Sequence, residues 1–330
     1  MAARWWLGKK WQWLAISSLL LNFYAIGMIS QTHDVHPHIV YVPNPNPNWS
    51  LPKPQAIQQN TPAPPTAPPQ TAIVPEDSTV PWIFVITPVL PTRNAAKADL
   101  TRFSQTLRLV NKLHWILVED SNHSSPVIEA LLLRSGLSYT HLFTTDDPTA
   151  GTGKGMGQRN LGLDWLRQHY SETKAEEAEG VVYMADEDNS YDLRLFDLFI
   201  RRVQPLRVGW WPVGLVGGGM VETARVEGGQ IKEWMVWFAA GRKFAVDMAS
   251  FAIHLSLLLK YPKARFQGRH LSMQESHFLS SFGSLAKEDL QVFGFDEHPS
   301  TIEVLVWHTR TYENLIRMRE VPNLREKYVI

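Results

Sequence analysis

Between residues 82 and 203 the chain alternates short apolar runs with longer segments whose apolar residues recur every three or four positions. The runs at 82–86, 114–118, 139–143 and 181–185 have the length and flanks of buried strands. Helical spacing covers 95–110, where Leu100, Phe103, Leu107 and Val110 share one face, and continues at 127–134, 158–169 and 193–203. Gly136 stops the second of these helices. Strand followed by helix, repeated, predicts an α/β fold with a mostly parallel central sheet flanked by helices.

Beyond residue 208 the pattern changes. An apolar stretch at 208–216 runs into Gly217, Gly218 and Gly219. Segments 221–226 and 231–237 flank Glu227-Gly228-Gly229-Gln230, a hairpin signal. Residues 251–259 are continuously apolar apart from His254 and Ser256 and are expected to form a helix, as are 274–282. A last strand is expected at 302–307.

The N-terminal region reads differently. Residues 11–29 carry no charge and follow Arg4, Lys9 and Lys10. That length approaches a bilayer span, and the upstream basic residues predict a cytoplasmic tail (1–10) with the remainder lumenal. A cleaved signal peptide is the competing reading, but its apolar region is usually shorter. Residues 30–80 are rich in proline, which fixes φ and removes hydrogen-bond donors, so they read as an extended stem. The globular domain is then 81–330, in two parts that differ in pattern, 81–190 and 191–330. In a lumenal chain, Asn48 and Asn122 begin glycosylation sequons.

Composition narrows the chemistry. The formal net charge is +0, which argues against nucleic acid as a partner. There is no cysteine, which excludes disulfides, thiolate metal sites and cysteine nucleophiles. The fourth strand ends on Asp186-Glu187-Asp188. Strand ends are where open α/β sheets place ligands. Three adjoining carboxylates repel unless cations neutralise them, and all-oxygen ligation suits Mg²⁺ or Mn²⁺ shared with phosphates. The sequence therefore points to a metal-assisted site for a phosphate-bearing donor; a solvated acidic loop is the bland alternative.

Further segments stand in a fixed order around that triad: 107–110, 114–120, 211–218, 246–249, 274–276 and 306–310. Together they resemble the animal β-1,3-glucuronyltransferases, family 43 of the glycosyltransferases, over about residues 82–312. The resemblance implies a GT-A fold, Mn²⁺, a UDP-glucuronate donor and inversion at the anomeric carbon. It also implies a Golgi type II membrane protein that pairs as a homodimer.

By the same resemblance Asp188 ligates Mn²⁺, and Asp186 and Glu187 lie near the uridine and ribose. Asp120 meets the uracil, and Arg159, Lys154, His308 and Arg310 meet the diphosphate. Glu275 is the general base, and Glu222, Arg242 and Asp247 surround the transferred sugar and acceptor. Trp234 and Trp237 are candidates for stacking on the acceptor, with core packing as the alternative. Three positions depart from the family pattern. Glu187 stands for an aspartate, Lys154 for an arginine, and Leu90 for a tyrosine. The implied acceptor is a galactose-terminated glycan on protein, foremost the galactose-galactose-xylose linker of proteoglycans. N-acetyllactosamine, a xylosyltransferase activity and a non-catalytic lectin are the alternatives.

Overall fold

The computed structural model describes residues 80–145, 155–267, 273–295 and 301–311. All belong to one unit, Ile73–Ile330. The expected tail, anchor and stem, together with Asn48 and Lys154, lie outside the described residues.

The first half follows the apolar pattern closely. Strands β1 (Ile83–Val89), β2 (Leu113–Glu119), β3 (Ser138–Phe143) and β4 (Val181–Met184) alternate with helices α1 (Ala96–Leu107), α2 (Pro126–Ser135) and α3 (Met156–His169). Successive strand side chains point to opposite faces, so two cores form. Ile83, Val85, Trp115, Leu117 and Tyr183 pack with Leu100, Phe103 and Leu107 of α1 and with Leu131 and Leu132 of α2. Phe84, Ile86, Ile116, Val118 and Met184 pack with Leu163 and Leu166 of α3. Gly136 ends α2 in the left-handed conformation, φ 68°, which glycine adopts without a Cβ penalty.

In the second half come β5 (Ser190–Tyr191), β6 (Val208–Trp210), β7 (Val213–Gly214), β8 (Val221–Glu227) and β9 (Gln230–Met235). They are followed by β10 (Phe251–His254), α4 (Leu255–Lys260), α5 (Gln274–Ser280), β11 (Gln291–Val292) and β12 (Val306–Trp307). The seven-stranded sheet runs β11-β6-β10-β4-β1-β2-β3. Only β10 runs against its neighbours, so the sheet is mostly parallel as expected. A second sheet runs β5-β12-β7-β8-β9.

Several expectations need correction. The helix expected at 251–259 is a strand followed by a short helix. All four residues of β10 are buried between β4 and β6, where a continuous apolar run serves a strand as well as a helix. His254 then caps α4, accepting from the Ser256 amide. The segment 193–203 is one wide turn, Leu195–Phe199, followed by a 3₁₀ turn, Ile200–Arg202, instead of a regular α-helix. The strand expected at 302–307 shrinks to β12, with Ile302 in one isolated bridge to Phe295. The hairpin holds, and its turn residues Gly228 and Gly229 both have positive φ, as a type I′ turn requires.

Two strands of the second sheet meet where side-chain volume is critical. Gly214 pairs with Trp307, and a Cβ at Gly214 would lie 2.2 Å from the Trp307 ring. Gly214→Ala should therefore push Trp307 aside and cost about 1–3 kcal/mol, the usual penalty of overpacking. Urea denaturation monitored by tryptophan fluorescence measures it; unchanged stability would show that the ring moves freely.

Candidate active site

The parallel strands deliver Glu119, Asp120 and the acidic triad to one rim of the sheet. Asp120 is exposed, and its amide donates to the Val89 carbonyl at 2.7 Å, so the ends of β1 and β2 are tied together. The β2 and β4 ends are two strands apart, about 10 Å at the usual spacing. Glu119 beside it is buried, accepting from the Ser125 amide at 2.9 Å and lying 2.5 Å from His141 Nε2. Leu90 is half exposed at the end of β1.

The triad turns its three side chains in different directions. Asp186 pairs with Arg159 Nη2 at 2.6 Å. Arg159 is buried, and the chain enters α3 through Gly155 at φ 72°, where an added Cβ would sit 2.9 Å from the Arg159 guanidinium and 2.8 Å from Pro88. Glu187 reaches Arg93 at 2.7 Å. Burial, and then the charge of Asp186, pushes the Glu187 carboxyl up to about 7 despite Arg93. Asp188 forms no ion pair and no side-chain hydrogen bond to another described residue; only its carbonyl is used, accepting from Thr309 at 3.2 Å and Arg102 at 3.4 Å. Burial, and then the charge of Asp186, raises its carboxyl above the ordinary value.

Such a half-buried carboxylate in a negative surrounding suits a hard divalent cation, which would relieve both burdens. Among the described residues no group of three or more His, Asp or Glu side chains converges on a metal position. Asp188 therefore fits a cation held chiefly by phosphate oxygens.

The second wall comes from the loop before β10, from α5 and from the end of β12. His308 Nε2 lies 2.9 Å from Asp247 Oδ1, which also accepts from the Ala249 amide at 2.8 Å. Burial alone would lower His308, but Asp247, joined by the charges of Asp186 and Asp188, holds it above its ordinary value. Arg242 Nη2 stands 3.5 Å from Glu275 Oε2 and also donates to the Val246 carbonyl. Glu275 is nearly buried in the first turn of α5. Burial, and then the charge of Asp247, pushes its carboxyl up to about 7, against the opposing charges of Arg242 and Arg159. Glu222 on β8 accepts from the Trp237 amide at 3.3 Å, and burial raises its carboxyl. Trp237 is 82% exposed beside it, whereas Trp234 packs edge-on against Trp210.

The structure thus gathers Asp186, Glu187, Asp188, Arg159, His308, Asp247, Arg242, Glu222 and Glu275 into one linked cluster, with Asp120 farther along the rim. Glu187, expected near the ribose, is itself buried and pairs with the partly exposed Arg93. Arg310 is exposed and joins no ion pair among the described residues. Asn122 is exposed in the loop after Asp120. Sequence reasoning missed Arg93 and Arg102, which carry no local pattern of their own, and gave no role to Thr309 within segment 306–310; each acts on the triad from a distant segment. Chemically, the cluster offers a hard-cation carboxylate and cationic donors beside a buried carboxyl near neutrality. Those are the parts a group transfer from a phosphate leaving group needs.

Comparison with known proteins gives the class. The profile of Glycosyltransferase family 43 matches residues 103–312. Human galactosylgalactosylxylosylprotein 3-beta-glucuronosyltransferase 2 is 42% identical over 240 residues, covering 70% of each chain. Human galactosylgalactosylxylosylprotein 3-beta-glucuronosyltransferase 3 is 38% identical over 270 residues, covering 77% of each. The chain belongs to glycosyltransferase family 43, and its α/β fold has the mostly parallel central sheet that was expected.

The buried Glu275 carboxyl has a consequence for stability. Between its ordinary value of 4.5 and about 7 the folded protein keeps a proton that the unfolded chain has released. Stability therefore falls as pH rises through that window. Glu275→Gln, which imitates the protonated form, should raise the melting temperature clearly at pH 8 and less at pH 5. Calorimetry at the two pH values measures this; an equal shift at both would remove the buried charge as its cause.

Proposed function

We propose that this chain is an inverting β-1,3-glucuronosyltransferase that moves glucuronic acid from UDP-glucuronate to a terminal galactose. The expected acceptor is the galactose-galactose-xylose linker of proteoglycans. The names of the human relatives support this reading. The observation that carries it is the presence of two distinct carboxyls in one cluster, Asp188 without a side-chain partner among the described residues and Glu275 buried beside Arg242.

In this reading uridine lies across the ends of β1 and β2 with its base at Asp120, and the diphosphate reaches toward β4. Mn²⁺ at Asp188 supplies charge neutralisation to the departing diphosphate. Glu275 takes the proton of the acceptor hydroxyl as its oxygen attacks the anomeric carbon and the bond to the phosphate oxygen breaks. A carboxyl near 7 is ionised often enough at neutral pH to act while remaining basic. Arg159, Lys154, His308 and Arg310 bind diphosphate oxygens. Arg242, Asp247 and Glu222 orient the two sugars, and the exposed Trp237 face, next to Glu222, stacks on the acceptor.

The same proposal includes the chain's setting. Residues 1–10 form a cytoplasmic tail, 11–29 a Golgi membrane anchor, 30–80 a stem, and 81–330 a lumenal catalytic domain that pairs as a homodimer. Its parts 81–190 and 191–330 bind donor and acceptor. Among the described residues no helix is long and apolar enough to cross a membrane. Asn48 and Asn122 carry glycans in this setting.

Purified enzyme with UDP-glucuronate, Mn²⁺ and a galactosyl-galactose acceptor should form product, and UDP-xylose should give none. Saccharide binding without turnover would leave a lectin instead. Glu275→Gln should keep UDP affinity and lose about 10²–10⁴-fold in turnover. Asp188→Asn should abolish the gain in UDP affinity that Mn²⁺ brings, measured by titration calorimetry; an unaltered gain would remove Asp188 as the ligand.

A further inference from the structure

The acidic turn is not held by its own strand alone. Asp99, in the first turn of α1, is a fully buried carboxylate 2.7 Å from Arg93 and 3.0 Å from Arg102. The approach of Arg93 is an ion pair more than a directed hydrogen bond, since Asp99 Oδ2 has no well-aligned donor. The same two arginines reach the triad. Arg93 pairs with Glu187 at 2.7 Å, and Arg102 donates to the Asp188 carbonyl at 3.4 Å. Thr311 adds a hydroxyl to the other Asp99 oxygen, at 2.5 Å.

We infer that Asp99 is a positioning residue for the metal-binding turn, acting through Arg93 and Arg102 to set where Asp188 presents its carboxylate. The inference rests on the reading of Asp188 as the cation ligand.

The electrostatics support this role. Two guanidinium groups balance two carboxylates, so Asp99 and Glu187 can be buried while Arg93 and Arg102 remain partly exposed. With Asp186 on Arg159 and Glu187 on Arg93, Asp188 alone of the triad has no ion-pair partner among the described residues. Without Asp99, Arg93 and Arg102 would lose the anchor they share. Both could then swing toward the turn, and Arg102, 47% exposed in its side chain, could swing into solvent. Each movement displaces the Asp188 backbone or brings positive charge closer to a cation. Groups behind a metal ligand commonly change metal affinity in this manner. Glu187 then serves the turn's placement more than the ribose, which accounts for the longer side chain there.

The test separates metal binding from nucleotide binding. Detergent-solubilised full-length chain is titrated with Mn²⁺ at saturating UDP, and free Mn²⁺ is read by electron paramagnetic resonance. UDP affinity without metal is measured in parallel with excess chelator. Asp99→Asn and Arg102→Gln should each weaken Mn²⁺ about tenfold while leaving metal-free UDP affinity and the acceptor KM unchanged. Breaking a buried ion network can unfold a protein, so Arg102→Gln, at a half-exposed position, carries the test if Asp99→Asn does not fold. Variants that bind Mn²⁺ as the wild type does overturn the inference. So do variants that lose metal-free UDP affinity and acceptor affinity in step with Mn²⁺, which would mean general loosening. A wild type whose UDP affinity ignores Mn²⁺ removes the reading of Asp188 itself, and the positioning role falls with it.

Discussion

Three acids in a row at a strand end are tolerable only if their charge is divided among separate partners. That division organises the whole site. Asp186 faces Arg159 from α3, Glu187 faces Arg93 from the loop after β1, and the Asp188 carboxylate has no ion-pair partner among the described residues. Each partner comes from a different βα unit, so the parallel sheet is the device that brings them together. The specificity of the arrangement lies in leaving one charge uncovered amid covered ones.

The opposite wall obeys a related rule. Glu275 has a cation nearby, but Arg242 stands at 3.5 Å and divides its hydrogen bonds between the Val246 and Phe238 carbonyls. A close, well-aligned pair would have held the carboxyl ionised and weakly basic. Distance, burial and the charge of Asp247 together keep it near neutrality. Asp247 meanwhile orients His308, so one aspartate influences both the Glu275 carboxyl and the His308 imidazole.

The sequence was most readable where apolar runs and helical spacing alternate cleanly, from β1 to β4. There each strand end and each helix stop fell within a few residues of its expected place. It was least readable where pairing is settled by distant neighbours. β10 is apolar on both faces because it sits inside a sheet, and nothing local tells such a run from a buried helix. The two-residue strands β5, β7, β11 and β12 are too short for any periodicity. The site shows the same split. Acidic and basic residues at strand ends announce themselves by chemistry and by likeness to a family. Arg93, Arg102 and Thr309 do not, because each matters only through a partner 86 to 121 positions away.

The short segment from His308 to Thr311 clasps three elements in turn: His308 binds Asp247, Thr309 the Asp188 carbonyl, and Thr311 Asp99. During vectorial synthesis strands β1 to β4 emerge before these residues do. A ribosome-bound chain can complete its central parallel strands early, but both rims of the pocket wait for this late clasp. Competence to react is thereby deferred until residues 308–311 have joined the fold, because without them Asp247, the Asp188 carbonyl and Asp99 would each lack one of their partners.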